Sequence, residues 1–508
     1  MKQYPSIFND VMGPVMIGQS SSHTAASVRV GGLVRQLAGD KVVEKIVFSF
    51  DSESSLAATY NTQGSDIGLL AGLLGFETDD RRIPDAYRYA DEAGIEYSFE
   101  IRKIGPGHPN AYYINFVPDK EIQISMTAVS LGGGMVEITN YRGFDVSIDG
   151  GFFETLIICD ISESAAIIEN INETAPGRFI IRVCISDEKS LINVKSEEEL
   201  VFDFPNTDIN RITPIMPVIS QVTPHVPFIT AEEINSYAES SNMPLWELAV
   251  LYESERSGLP PDVVTRKMNS IVRTLRKSLE DPRDNETKDR ILQNQARLIE
   301  VNDNILGGSF NRNVIKYVTR FMDIKTSMGV FVAAPTAGSC GCVSGTVFAL
   351  AEELGLNDDD ITKAMLSAAM VGILIARHST FAAEVCGCQA ECGAASGMCA
   401  AACAWILNCP VKVCLSAASM ALQNIFGMVC DPVGNRVEVP CLGKNILAAF
   451  NAIASANMAS VGFDEVIPLD ETIAAMDSVG RMLPRELRCT GLGGLSTTKT
   501  SLRMLGIL

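Results

Sequence analysis

Twelve of the fourteen cysteines of this chain fall between Cys340 and Cys489. Three of them sit beside residues that bend a backbone: Cys388 follows Gly387, Cys430 precedes Asp431-Pro432, and Cys441 follows Pro440. Thiols at turns can be aimed together at one point although they are far apart in sequence, and such a set can hold an iron–sulfur cluster. The competing role is plain burial, because free cysteine packs as a small hydrophobe in an Ala, Gly and Ser core. Cys399, Cys403, Cys409 and Cys414 lack turn neighbours and are assigned to packing, and no ferredoxin-type run of closely spaced cysteines is present. Three thiolates would leave one iron open to a substrate hydroxyl and carboxylate, able to polarise a C–O bond as a Lewis acid. Four would restrict the cluster to carrying electrons.

A second set of residues suits a small anion. Ser20-Ser21-Ser22-His23-Thr24 precedes apolar residues at helical spacing, so it lies at a helix N-terminus, where free N–H groups and the dipole attract a carboxylate. Ordinary capping by Ser or Thr is the alternative. Thr62-Gln63-Gly64-Ser65-Asp66 opens the helical run Ile67–Leu74, Gly105 to Asn110 is a turn before a strand, and Ser130 to Gly134 is a glycine loop between strands. Ala334 to Gly341 and Leu487 to Leu495 are two further glycine turns.

The elements that must position these groups divide the chain. At 508 residues it exceeds one hydrophobic core, and its composition is that of a folded protein. A net charge of −20 argues against nucleic acid and anionic membrane as partners. The first residues carry no apolar export segment, so a cytoplasmic location is expected. In a large chain of that kind the cysteines point to metal binding and burial, not disulfides. Two uncharged stretches, Cys392–Val411 and Val413–Cys430, are rich in Ala, Ser, Gly and Cys, as tightly packed core helices are.

Residues 1–150 read as an α+β domain, with a strand over Val42–Phe50. Residues 151–204 read as a small module: strand Thr155–Cys159, helix Glu163–Ile171, strand Phe179–Cys184. Five prolines over residues 205–228 suggest a stiff linker. Thr230 to Glu233 is a capping-box signature opening residues 229–508, expected to be all-helical, with a charged solvated face over Glu247–Glu300.

Together these motifs resemble the iron–sulfur-dependent bacterial L-serine dehydratases. Gly18 to Thr24 is similar to the GPSSSHT loop of that family's β part, and His108-Pro-Asn110 and Ser130 to Gly134 are similar to its HPN and SIGGG motifs. Ser327-Met-Gly329, Ala334 to Gly341, Gly387 to Glu391, Cys430 to Gly434, Pro440-Cys441 and Thr490 to Leu495 resemble its α part. The resemblance implies a β part, an ACT-like ferredoxin-like module and an α part fused in that order. It further implies a [4Fe-4S] cluster on Cys388, Cys430 and Cys441, a homodimer, and dehydration of L-serine, a small amino acid, to pyruvate and ammonia. His23 is then the acid–base candidate among Ser20, Ser21 and Ser22. Thr24, Gln63, Ser65, Asp66, His108, Asn110, Thr336, Gly338, His378 and Ser379 are the substrate-binding candidates.

The chain departs from the family at Gln63, where GHGTD has a histidine, and at His378 to Phe381, which replace smaller residues before the first cluster cysteine. Cys342-Val-Ser also replaces a family-like Ile-Leu-Pro. These changes leave open a different β-substituted amino acid, such as L-cysteine in a desulfidase, or a non-catalytic sensor. Asp160 to Ala166 lacks the glycine turn with which ACT modules receive an effector, and Cys489 is a candidate reversible fourth ligand.

Overall fold

The computed structural model of the chain describes residues 4–39, 43–105, 107–118, 123–175, 177–281, 290–302 and 304–508. Val42, Pro106 and residues 282–289 of the charged helical run lie outside them. The N-terminal part is built on a six-stranded sheet in the order Glu96–Arg102, Val43–Asp51, Ala111–Pro118, Ile124–Gly132, Met135–Tyr141, Phe144–Ile148. The first pair is parallel and the others are antiparallel, so the sheet is mixed. Helices Ala26–Leu37 and Ser65–Leu73 cover it. They cross at glycine contact: a Cβ on Gly72 would stand 1.9 Å from the Val28 carbonyl oxygen, and one on Gly31 2.2 Å from that of Leu69. That crossing brings the turn Ser21–Ala25 against the loop before Ser65.

A four-stranded antiparallel sheet follows, in the order Asp208–Ile212, Phe153–Asp160, Lys189–Ser196, Phe179–Ser186, with helix Ile161–Thr174 on one face. Asp208–Ile212 lies within the stretch expected to be linker, which is not a free connection. It pairs with Phe153–Asp160, and Val218 exchanges two hydrogen bonds with the Asn9 side chain.

Among the described residues from Ala231 on, the regular elements are helices apart from the short strand Phe331–Val332. The expected capping box at Thr230 and Glu233 is formed. Cys392–Ile406 and Val411–Gln423, the two uncharged stretches, are core helices packed with Cys340–Leu354, Asp358–His378 and Cys441–Ser460. Among the described residues no helix is long and apolar enough to cross a membrane. The N-terminal segment belongs to this helical core. Ile7, Phe8, Val11 and Met12 are buried in it, Val15–Met16 pairs with Phe331–Val332, and Glu253 accepts hydrogen bonds from Ser6 Oγ and Ile7 N.

Candidate functional site

The thiols of the helical part meet the polar loops of the N-terminal part across one buried junction. Cys388 opens a single turn after Gly387, whose φ of +70° and close approach to the Met428 carbonyl (2.8 Å from a built Cβ) require glycine. Cys430 is tied to the C-terminal turn by two backbone hydrogen bonds, from its N to Leu487 O and from Cys489 N to its O, both 2.9 Å. Cys441 begins helix Cys441–Ser460, where the dipole favours a thiolate. Cys489 is buried with φ +59°, a left-handed conformation costly for a non-glycine residue.

These thiols act on one another. Hydrogen bonding to Cys489, burial and the nearness of Cys388 raise the Cys430 thiol well above its ordinary range. Burial pushes the Cys441 thiol up to about 12, with Lys325 pulling down, Cys388 and Glu391 pushing up and Lys444 pulling down. Lys325 is fully buried with Nζ 2.7 Å from Val437 O. Lys444 reaches Val429 O and Asp431. Among the described residues no three His, Cys, Asp or Glu side chains close on a point as a single metal ion requires. Cys399 and Cys403 lie in the helical core, 3.9 Å from each other.

The turn after Thr336 forms the next wall. Thr336 Oγ1 donates to Glu391 Oε1 at 2.7 Å, a Cβ on Gly338 would stand 2.7 Å from that same oxygen, and Asn445 Nδ2 donates to Gly338 O and Cys441 O. Ser21 crosses the junction, its Oγ accepting from Ala337 N at 3.1 Å.

On the N-terminal side His23 is fully buried, Nδ1 3.0 Å from Ser20 Oγ and Nε2 2.8 Å from Thr59 Oγ1. Burial lowers its pKa to about 3, so the ring is neutral. Its Nδ1 also lies 3.8 Å from Glu384 Oε1. Burial, then the nearness of Glu391, raises the Glu384 carboxyl to about 7. Tyr112, raised to about 12 by burial, bonds Ser27 and the Ser22 carbonyl. Around this group several buried atoms lack hydrogen bonds: Glu384 Oε2, both amide atoms of Asn110, Ser65 Oγ and Ser130 Oγ. Asn110 nonetheless lies near enough to Glu384 to pull its pKa back down. Buried polar atoms are nearly always satisfied, so such a knot marks a place that receives polar ligand atoms.

The sequence candidates separate. Ser20, Ser21, Ser22, His23, Ser65, Asn110, Thr336 and Gly338 share this junction with the three thiols. Thr24 is a packing element, its Oγ1 bonded to Gln63 O and its side chain set against Gly18 and Gly64. Gln63 Nε2 donates to Asn435 O and toward Cys489 Sγ. Asp66 is spent on Tyr87 and Ile67 N. Ser379 and Phe381 line a separate cavity of about 590 Å³ with Gly132, where a Cβ would stand 2.8 Å from Ala382 N, and His108 lines both that cavity and a smaller one that includes Glu384. His378 faces the Ile229 carbonyl instead. Residues without a motif of their own complete the junction: Thr59, Tyr112, Glu384, Lys325 and Lys444. Only Glu384 carried a signal, four residues ahead of Cys388 in the cysteine-rich stretch.

The family described as serine dehydratase alpha chain matches residues 240–496. An L-serine dehydratase of Haemophilus influenzae is 29% identical over 97% of this chain and 98% of its own length. The L-serine dehydratase alpha chain of Peptoniphilus asaccharolyticus is 31% identical over 53% of this chain and 94% of its own. A probable L-serine dehydratase beta chain of Bacillus subtilis is 40% identical over 31% of this chain and 69% of its own. With its thiol wall inside the matched region and its polar loops in a beta-like part ahead of it, the chain belongs to the serine dehydratase alpha chain family, in a form that fuses both parts.

Proposed function

We propose that this chain is an L-serine ammonia-lyase that dehydrates L-serine to pyruvate and ammonia, using a [4Fe-4S] cluster on Cys388, Cys430 and Cys441. The observation that supports it most is the single junction at which these mutually acting thiols meet unsatisfied buried polar atoms from the other part of the chain. The donor set suits a cluster: the thiols influence one another without closing on one point, and three thiolates leave a net negative group for the buried Lys325 and the half-buried Lys444 to balance. When bound, the cluster supplies a Lewis acid for the departing hydroxyl.

The chain's own residues do the rest. The Ser20 to Ser22 turn and Asn110 offer hydrogen-bonding groups to the polar atoms of the substrate, while neutral His23, held by Ser20 and Thr59, orients that turn. The test is an anaerobic ammonia-release assay of the iron-loaded protein on a panel of β-hydroxy and β-thiol amino acids, with Cys430→Ala alongside. Turnover of L-serine that vanishes in the variant supports the assignment. Consumption of L-cysteine alone replaces it with the desulfidase reading, and binding without turnover replaces it with a sensor.

Residues 153–212 we read as an ACT-like module. With its strands numbered in chain order, the sheet runs fourth, first, third, second, as in a ferredoxin-like fold, with a loop in place of the second helix. A cytoplasmic homodimer completes the proposal.

A further inference from the structure

A second cavity, of about 310 Å³, opens onto the junction between Ser55, His108, Glu384, Arg485, Arg488 and Thr490. It holds two arginines and two buried carboxyls, Asp51 and Glu384. Arg485 is committed to the rim, with Nη2 2.6 Å from Glu53 O and Nη1 4.0 Å from its carboxylate. Asp51 is committed too, accepting from the N–H groups of Glu53, Ile104 and Gly105. Arg488 is not. Its Nη1 donates to Val385 O at 3.2 Å, while its Nε is buried with no hydrogen-bond partner. Glu384, the residue before Val385, has Oε2 buried without a hydrogen bond of full geometry, the Asn110 amide being the polar group that acts on that carboxyl. A buried donor and a buried acceptor on neighbouring backbone, neither fully paired, are costly unless something completes them.

We propose that the amino-acid substrate sits in this cavity with its carboxylate on the Arg488 guanidinium and its α-hydrogen facing Glu384, which takes that hydrogen as a proton. The inference rests on the lyase assignment above and names its proton acceptor. The Cα–H bond breaks with the proton passing to Glu384, and its electron pair becomes the Cα=Cβ bond. The Cβ–O bond breaks with its pair on oxygen, which takes up that proton and leaves as water. The aminoacrylate then tautomerises, and water hydrolyses it to pyruvate and ammonia. His23 is a positioning residue: it is held at both ring nitrogens by the Ser20 and Thr59 hydroxyls, and burial disfavours the imidazolium it would become on taking the proton. The charged or titratable groups facing Glu384 are His23, Tyr112 and Glu391 inside, and His108, Arg485, Arg488, Asp51 and Glu53 around the cavity. Burial, then the nearness of Glu391, raises the Glu384 carboxyl to about 7, so the accepting form is gained as pH rises through neutrality.

The test compares the iron-loaded chain with Glu384→Gln, Glu384→Asp and Arg488→Lys, using L-serine and its α-deuterated form and measuring iron per chain and L-serine binding. Glu384→Gln is expected to keep its iron and its L-serine affinity while kcat falls about 10²–10⁴-fold. Glu384→Asp should recover part of kcat and show a larger α-deuterium isotope effect than the wild type. Arg488→Lys, which loses the bidentate fork, should raise KM about tenfold with kcat nearly unchanged. The proposal is overturned if Glu384→Gln keeps iron and a kcat within about tenfold of wild type, if it loses its iron, or if Arg488→Lys leaves KM unchanged. A wild type that spares L-serine but deaminates another member of the panel removes only the serine assignment, and Glu384 is then tested on that substrate. A wild type inert to the whole panel overturns both.

Discussion

The side-chain amide of Gln63 lies 3.7 Å from the sulfur of Cys489 and 3.2 Å from the carbonyl oxygen of Asn435. A residue of the N-terminal part thereby caps the C-terminal turn that Cys430 holds from the other side. Ser55 Oγ reinforces this by donating to Cys489 O at 2.7 Å. Gln63→Ala removes one of the two donors to the Asn435 carbonyl, leaving Thr62 Oγ1 as the other, and should destabilise the protein by about 0.5–1.5 kcal/mol, read as a lower midpoint in thermal unfolding. Ser55→Ala should act in the same direction, and the two effects together should fall short of their sum because both hold one turn.

Thiols that are chemically alike are distinguished by where they stand. Cys430→Ala should abolish iron retention on anaerobic reconstitution. Cys399→Ala, in the core beside Cys403, should keep its iron and lose about 1 kcal/mol of stability, the transfer cost of a small buried group. Iron per chain, measured on both variants, separates ligand from packing residue, and equal iron in the two would refute the assignment of Cys430.

Much of this arrangement was legible in the chain. The nearness of Cys388, Cys430 and Cys441 followed from their glycine and proline neighbours, and the helix after Thr230 from its capping box. What was illegible depends on contacts between distant residues. Nothing local marks Ile7 to Met12 as part of the helical core, because a short apolar run fits either part of the chain. His378 lies close to the cysteines in sequence, yet it ends a long helix and faces Ile229. Asp66 lies in a promising loop and is consumed by Tyr87. Thr59 and Tyr112 belong to no motif, and the first of them reaches His23 from the short helix Ser55–Thr59, outside the crossing of helices Ala26–Leu37 and Ser65–Leu73.

That crossing can be tested directly. Gly72→Ala would drive a methyl to 1.9 Å from a backbone oxygen, which no side-chain rotation relieves. The helices must separate, at a cost of about 1–3 kcal/mol or more. Because the turn Ser21–Ala25 leads into helix Ala26–Leu37, activity should fall further than stability explains. Gly32→Ala, with nothing within 4 Å of its Cβ, is the control and should be neutral or slightly stabilising, since alanine favours a helix.

Lys325 is a buried ammonium whose Nζ bonds Val437 O and acts on the nearby thiols. Lys325→Met keeps the aliphatic volume and removes the charge. The iron-free protein should tolerate this well or gain stability, because a buried charge is expensive. The iron-loaded protein should release iron to a chelator faster, because the thiolates lose a compensating cation. A release rate equal to wild type would show that Lys325 serves the fold alone.

Glu384 ties function to stability in a direction that can be worked out. Its carboxyl is raised from 4.5 to about 7 in the folded protein, mainly by burial. Below the unfolded value the group is protonated in both states, and its contribution to stability is complete. Between the two values only the unfolded chain ionises, so stability falls as pH rises and levels off above about 7. The span corresponds to roughly 3 kcal/mol. Glu384→Gln has no proton to lose. The difference in thermal midpoint between variant and wild type, both iron-free, should therefore be small near pH 4.5 and grow in favour of the variant up to about pH 8. A difference independent of pH would mean that folding does not raise the Glu384 carboxyl. A variant more stable than wild type yet slow in turnover is the pattern of a group kept for chemistry at the expense of the fold.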